Sequence, residues 1–288
     1  IYHGYARFSG IAGHEFVGRV QESPAHAELA GKRVVADINC GCGGCAWCRT
    51  GNPRHCESRR VLGIRGKDGA FAEYLSVPVG NLHVVPETLD TVRAVFAEPL
   101  AAALEITQQV HITNRTRILV LGDGKLGLLC ALGLKHFSSK LLLAGRHREK
   151  LAVAENQGID TLQTAKGNDL LPARRNSTGF DIVVEATGSP DGIRDALALV
   201  RPEGTVIVKT TSRSPSRIDL STVAVNEIHL LGSRCGDLEL ALRVLALGWV
   251  VVKPLVERTY PLSRFSEAFA RASARGSLKV LLDPAGSE

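Results

Sequence analysis

The chain has 288 residues, 44% hydrophobic and 22% charged, an ordinary globular balance that excludes a disordered or low-complexity protein. Its length admits two domains with cores of their own. The net charge of +6 comes from scattered Lys and Arg with no aromatic-interleaved basic stripe, so no nucleic-acid partner is expected. No apolar run nears the ~20 residues that span a bilayer, so no membrane partner is expected either.

The chain begins at Ile1 and contains no methionine. Position 1 is therefore read as something other than a natural initiator, and the stretch as a fragment or a processed product. The first pattern is Gly13-His14-Glu15-Phe16-Val17-Gly18. Taken alone, His14 is more often a satisfied core or surface histidine than a ligand.

The next feature is the most specific one. Cys42, Cys45, Cys48 and Cys56 are spaced C-x2-C-x2-C-x7-C beside Gly41, Gly43 and Gly44. Four thiolates this close can surround one tetrahedral ion, and the glycines allow the backbone to turn tightly around it. A closed four-thiolate zinc site of this kind is structural. An iron–sulfur cluster uses the same ligands, and a pair of disulfides is the remaining alternative. Cys130 and Cys235 lie in apolar or helical patterns and read as reduced core residues, while Cys40 sits just ahead of the cluster. This usage favours a reducing, cytoplasmic compartment. Further on, Glu98 in Phe96-Ala97-Glu98-Pro99-Leu100 reads locally as a helix start with proline at its first position.

From about residue 105 short apolar runs alternate with amphipathic stretches. Arg117 to Leu121 predicts a buried strand. It runs into Gly122-Asp123-Gly124-Lys125-Leu126-Gly127, a G-x-G-x-x-G, and then a helix over Leu128 to His136. In that setting Gly122 makes the turn, Gly124 lets a pyrophosphate approach, and Gly127 permits helix–strand contact. The helix N-terminus supplies free N–H groups to the phosphates. The second strand, Leu141 to Ala144, ends at Gly145 where an NAD site places a carboxylate for the ribose 2′-hydroxyl, and Arg146, His147 and Arg148 follow. Missing acid and added guanidinium favour NADP(H) over NAD(H). Further strands are expected at Asp181 to Ala186, Gly204 to Val208 and His229 to Leu231, with helices at Pro190 to Val200 and Leu238 to Leu247. The loop Ala186-Thr187-Gly188 lies at a strand's carboxyl edge, where such sheets bind ligands. The apolar tract Leu245 to Val252 is compatible with a buried or interfacial strand. The fold class is α/β, a doubly wound parallel Rossmann sheet joined to a mostly β domain carrying the cysteine lobe.

The order G-H-E-x-x-G, C-x2-C-x2-C-x7-C, G-A-F-A-E-Y at Gly69 to Tyr74, A-E-P-L and L-G-D-G-K-L-G resembles the zinc-containing medium-chain dehydrogenase/reductase superfamily, in its alcohol, polyol and threonine dehydrogenase-like branch. The resemblance implies a GroES-like catalytic domain over 1–104, a Rossmann domain over 105–253, and a return to the catalytic domain over 254–288. It implies that His14 and Glu98 ligate a catalytic zinc with Glu15 beside them, and that the four cysteines ligate a structural zinc. It further implies that Lys279 faces the coenzyme phosphates and that the chain forms a homodimer or homotetramer. The family's first catalytic ligand, a cysteine, falls ahead of the segment that begins this chain, so an inactive, nucleotide-binding member is the alternative. The activity implied is hydride transfer between NADP(H) and an alcohol, polyol or hydroxy acid.

Overall fold

The computed structural model describes residues 8–164, 179–212 and 214–286. The first part is built of short strands. β1 (Gly18–Arg19), β2 (Arg33–Ala36), β3 (Asn39–Cys40), β4 (Arg60–Leu62), β5 (Gly66–Lys67) and β6 (Leu82–Val84) form two three-stranded sheets, β1-β2-β6 and β3-β4-β5. The cysteine lobe is inserted between β3 and β4.

The second part is a six-stranded sheet of β7 (Ile118–Leu121), β8 (Leu141–Gly145), β9 (Asp160–Gln163), β10 (Phe180–Glu185), β11 (Val200–Val208) and β12 (His229–Gly232). The order is β12-β11-β10-β7-β8-β9 and every pairing is parallel. Parallel strands need crossovers, which place helices on both faces, so the central strands are apolar throughout. All four residues of β7 are buried. One face packs on helices Ala97–Gln109, Lys125–Leu134 and Leu238–Ala246, the other on Gly192–Leu199. Each fully buried leucine, such as Leu128, Leu132 and Leu143, contributes about 2 kcal/mol of apolar burial.

The edge strand β9, sequence Asp-Thr-Leu-Gln, carries no apolar run and was not expected from the sequence; among the described residues β8 alone pairs with it. The helix after the glycine loop starts at Lys125, not Leu128, because Gly124 already serves as its N-cap. β11 begins at Val200, earlier than expected, and passes through Glu203 at φ 57. Leu245 to Val252 is not a strand. The helix Leu238–Ala246 ends inside it, burying Leu245, Val250 and Val252 and leaving Leu247, Trp249 and Val251 exposed.

Helix Ala97–Gln109 is continuous through residue 104 and bridges the two parts: it packs on Lys125–Leu134, on Leu238–Ala246 and on β2. Last, β13 (Val256–Pro261) and β14 (Lys279–Asp283) pair in parallel around helix Phe265–Ser273. This terminal unit comes back to the first part, where the Phe269 ring meets Phe71 edge-on at 5.3 Å.

Candidate metal and coenzyme sites

The cysteine lobe is assembled by local turns. Cys42 precedes Gly43, which takes φ 78. Cys45 caps the one-turn helix Ala46–Arg49 that contains Cys48, and Cys56 closes the 3₁₀ turn Pro53–His55. One sulfur from each cysteine lies within 4.8 Å of the others. Four sulfurs about 2.3 Å from one tetrahedral zinc stand roughly 3.8 Å apart, so the set fits that ion with small adjustments. All seven cysteines are free thiols. The Gly44 and Cys45 N–H groups hold Cys42 down to about 6, whereas burial pushes Cys48 up to about 11. Arg54 anchors the lobe from within. Its guanidinium meets buried Glu105 at 2.8 Å and donates to the Cys235 carbonyl at 2.5 Å.

The second cluster comes from distant segments: donor atoms of His14, Glu15 and Glu98 also lie within 4.8 Å of one another. His14 is held by the G-A-F motif, because Gly69, Ala70 and Phe71 donate their N–H groups to the Ile11, Gly13 and Ala12 carbonyls. A Cβ at Gly69 would stand 2.0 Å from the Gly13 oxygen, so this backbone contact requires glycine there. Glu98 sits in the first turn of helix Ala97–Gln109. Burial, then the charge of Asp37, pushes its carboxyl up to about 7. Burial and the charge of Lys279 hold His14 down at about 4, so its imidazole is neutral at pH 7 and offers a lone pair, as metal ligation requires. Lys279 joins this cluster: its ammonium donates to the Glu15 carboxylate and lies 4.9 Å from the Phe96 ring centroid. Burial brings it down to about 8. Among the described residues, the hydrogen bond and ring contact of Lys279 are with Glu15 and Phe96.

The glycine motif lies between β7 and the helix Lys125–Leu134. Gly122, at φ 111, backs onto Ala186 and Thr187, where a Cβ would meet the Ala186 oxygen at 2.5 Å. A Cβ on Gly127 would lie 1.9 Å from the Gly122 oxygen, while one on Gly124 would stand in open space. Gly122 and Gly127 thus serve packing, and Gly124 leaves room outside the protein's own atoms. Lys125, Leu126 and Gly127 form the first helical turn. Gly145, Arg146 and His147 come against Asp123, whose carboxylate accepts from the Arg146 and His147 N–H groups at 2.8 and 2.6 Å. Gly188 donates its N–H to Thr210 Oγ1 at 3.0 Å.

Three residues not singled out in the sequence matter here. Buried Glu185 ends β10 and accepts from Thr187 N, Thr187 Oγ1 and Thr210 Oγ1 at 2.9, 2.6 and 2.8 Å, which fixes the Ala186–Gly188 loop. Buried Lys209 follows β11 and donates to the Ala102 carbonyl and Ser233 Oγ. Arg234 bonds Asn39 and the Arg54 carbonyl across the two parts. A charged residue closing an apolar strand (Phe-Asp-Ile-Val-Val-Glu, Val-Ile-Val-Lys) was the available signal for the first two. At this edge lies a cleft of about 510 Å³ lined by Glu185, Ile193, Thr210, Ser212, Ile218 and Arg234, in the size range of small-molecule sites.

Two known families cover most of the chain: the alcohol dehydrogenase GroES-like domain matches residues 1–87, and the zinc-binding dehydrogenase family matches residues 126–248. Erythritol/L-threitol dehydrogenase of Mycolicibacterium smegmatis is 29% identical over 99% of this chain and 86% of its own. D-arabitol-phosphate dehydrogenase of Enterococcus avium is 27% identical over 95% and 81%. Among solved structures, a zinc-binding dehydrogenase from Sinorhizobium meliloti 1021 bound to NADP superposes with a TM-score of 0.88, at 27% identity over 97% of this chain and 85% of that one. The alcohol dehydrogenase RspB of Escherichia coli CFT073, complexed with NADH, gives 0.87 at 25% identity over 96% and 84%. With matching motifs, topology and relatives, the chain belongs to the zinc-containing medium-chain dehydrogenase/reductase superfamily, as a zinc-binding dehydrogenase of the alcohol and polyol type.

Proposed function

We propose that this protein oxidises and reduces a small polyol or hydroxy acid with NADP(H), using a catalytic zinc at His14, Glu15 and Glu98 and a structural zinc at Cys42, Cys45, Cys48 and Cys56. The observation that carries the reading is the convergence of His14, Glu15 and Glu98, from two segments far apart in the chain, to within 4.8 Å. A zinc ion bound there would polarise the substrate oxygen, and the dinucleotide would supply or accept the hydride. Neutral His14 offers its imidazole lone pair, and Glu98 the charge that offsets a divalent ion. Lys279 holds Glu15 through their ion pair. Two carboxylates in the donor set favour hard oxygen ligands, which suits a substrate with several hydroxyls.

At the coenzyme end, Arg146 is exposed beside Gly145, and among the described residues its guanidinium makes no hydrogen bond or ion pair. Arg148, in contrast, is paired with Glu155. Arg146 is thus the group available to a 2′-phosphate. β12 lies at the outer edge of the sheet, and Leu220, Val225 and Leu230 are exposed near it. A second copy covering this edge accounts for the exposure; sedimentation as a monomer would remove that part of the reading.

The test is zinc per chain by elemental analysis, with His14→Ala alongside. About two zincs, falling to about one in the variant together with loss of alcohol oxidation, supports the assignment. About one zinc in the unaltered protein confines metal to the cysteine lobe and refutes the catalytic cluster.

A further inference from the structure

The second strand of the sheet ends without the carboxylate that dinucleotide folds usually place there, yet a carboxylate occupies that spot. Asp123, between the first two glycines of the loop, turns across to the end of β8. A Cβ built on Gly145 would stand 2.4 Å from Asp123 Cβ and 2.6 Å from its Cγ. Asp123 fills the space where a residue-145 side chain would begin, so Gly145 and Asp123 are two halves of one arrangement.

The bonding shows what Asp123 does in that position. Its Oδ2 accepts from Arg146 N at 2.8 Å, from His147 N at 2.6 Å and from His147 Nδ1 at 3.1 Å, while Oδ1 lies 3.2 Å from the same ring nitrogen. The imidazole makes these contacts in the tautomer that carries its proton on Nδ1. The Asp123 side chain is only 9% exposed. A carboxylate committed to this many donors, and turned inward, is not presented to a ribose. It instead fixes the backbone of the turn from which Arg146 projects, and charge-assisted N–H bonds are the stronger kind. His147 has no side-chain cap of its own for the helix Arg148–Glu155. Asp123 thus holds the turn together with the Thr164 N–H on the Gly145 carbonyl and Gln163 Nε2 on the Arg146 carbonyl.

We propose that Asp123 is a positioning residue for coenzyme selection: it clamps the Gly145–His147 turn so that Arg146 stands ready for the 2′-phosphate of NADP(H). The proposal rests on the NADP(H) reading above and deepens it. It makes the acid of the glycine loop an internal strut. Preorganising a long cationic side chain lowers the ordering cost of binding, and only the coenzyme that carries the extra phosphate benefits.

The experiment is a fluorescence titration of this 288-residue chain with NADPH and NADH, for the unaltered protein, Arg146→Ala and Asp123→Asn. Asparagine keeps the size of the side chain and removes its charge. The unaltered protein is expected to prefer NADPH, and Arg146→Ala to lose about tenfold or more in NADPH affinity while NADH binding holds. Asp123→Asn is expected to weaken NADPH by about tenfold and to move NADH by less than about twofold, with an unchanged melting temperature. Tighter or unchanged NADPH binding by Asp123→Asn overturns the clamp, because removing a merely repulsive charge would help a phosphate. An equal loss for both coenzymes overturns it too, since that marks a folding role alone. A loss confined to NADH makes Asp123 the ribose acceptor after all. Failure of the NADP(H) reading shows elsewhere, in a preference of the unaltered protein for NADH or in no effect of Arg146→Ala.

Discussion

The cysteine lobe and the His14–Glu15–Glu98 cluster are both groups of candidate metal ligands drawn to within 4.8 Å, but they are built in opposite ways. All four lobe ligands fall between positions 42 and 56, and one turn, one short helix and one 3₁₀ turn bring them together. The other cluster takes two ligands from an extended segment and one from a helix more than eighty positions later. The G-A-F backbone contact holds the first two, the bridging helix holds the third, and Lys279 closes it from the terminal unit. A locally built site needs its ion to hold it together. A site built from distant segments is held by the fold and depends on every layer of it.

The two regions should therefore respond differently to damage. The largest effect is expected from Cys48→Ser, which leaves the lobe one ligand short. It should lose about one zinc per chain and open the lobe to protease, while coenzyme binding shifts by less than about twofold. Loss of coenzyme binding as well would show that the lobe supports the whole molecule and break the contrast.

A smaller loss is expected from Arg54→Ala. The guanidinium lies within the lobe, and its removal leaves the buried Glu105 carboxylate, on the bridging helix, without the partner it meets at 2.8 Å. An unpaired buried charge costs about 3 kcal/mol, to be read by chemical denaturation; a change below about 1 kcal/mol would mean that the lobe and the helix are energetically separate.

The smallest effect concerns the contact between β6 and the helix Leu238–Ala246. His83 bonds Asp37 at 3.1 Å and lies 3.6 Å from Glu239. The Asp37 hydrogen bond, with the charges of Asp37, Glu239 and Asp237, raises its pKa above 6.5 against an opposing cost of burial. A raised histidine pKa contributes stability fully below the unfolded value near 6.5 and loses it as pH climbs through the folded value. The contribution is under about 1 kcal/mol because Asp37 is well exposed. Glu98, near 7 and also facing Asp37, titrates in the same window, so the share of His83 is the difference between thermal melts of the unaltered protein and His83→Gln from about pH 5 to about pH 8. A profile unchanged in the variant would assign the pH dependence to other groups.

Several elements were legible without a fold. The central strands β7, β8 and β10 announced themselves as continuous apolar runs, because a parallel sheet covered on both faces has no polar side to show. The glycine loop was legible because two of its glycines are required by close backbone contacts that any copy of this turn must make. The edge strand β9 was not, since a strand paired on one side only can be as polar as a loop. Leu245 to Val252 was compatible with a strand and forms none, because an apolar run records burial without saying which backbone does the burying. Here a helix ends within it, and the chain then dips back to bury Val250 and Val252.

The coenzyme turn shows the division most clearly. The sequence alone determined that no acid stands at position 145 and that arginine and histidine follow, since residue identity is all such a statement needs. It equally determined the thiol cluster, because ligands so close along the chain cannot avoid one another in space. Only the tertiary structure decided that Asp123 crosses from the glycine loop to fill that vacant place, that Lys279 stands on Glu15, and that Glu98 joins His14. Those are contacts between segments far apart in the chain. Residue types and local spacing say nothing about such pairings until packing of the sheet, the bridging helix and the terminal unit has set the distances.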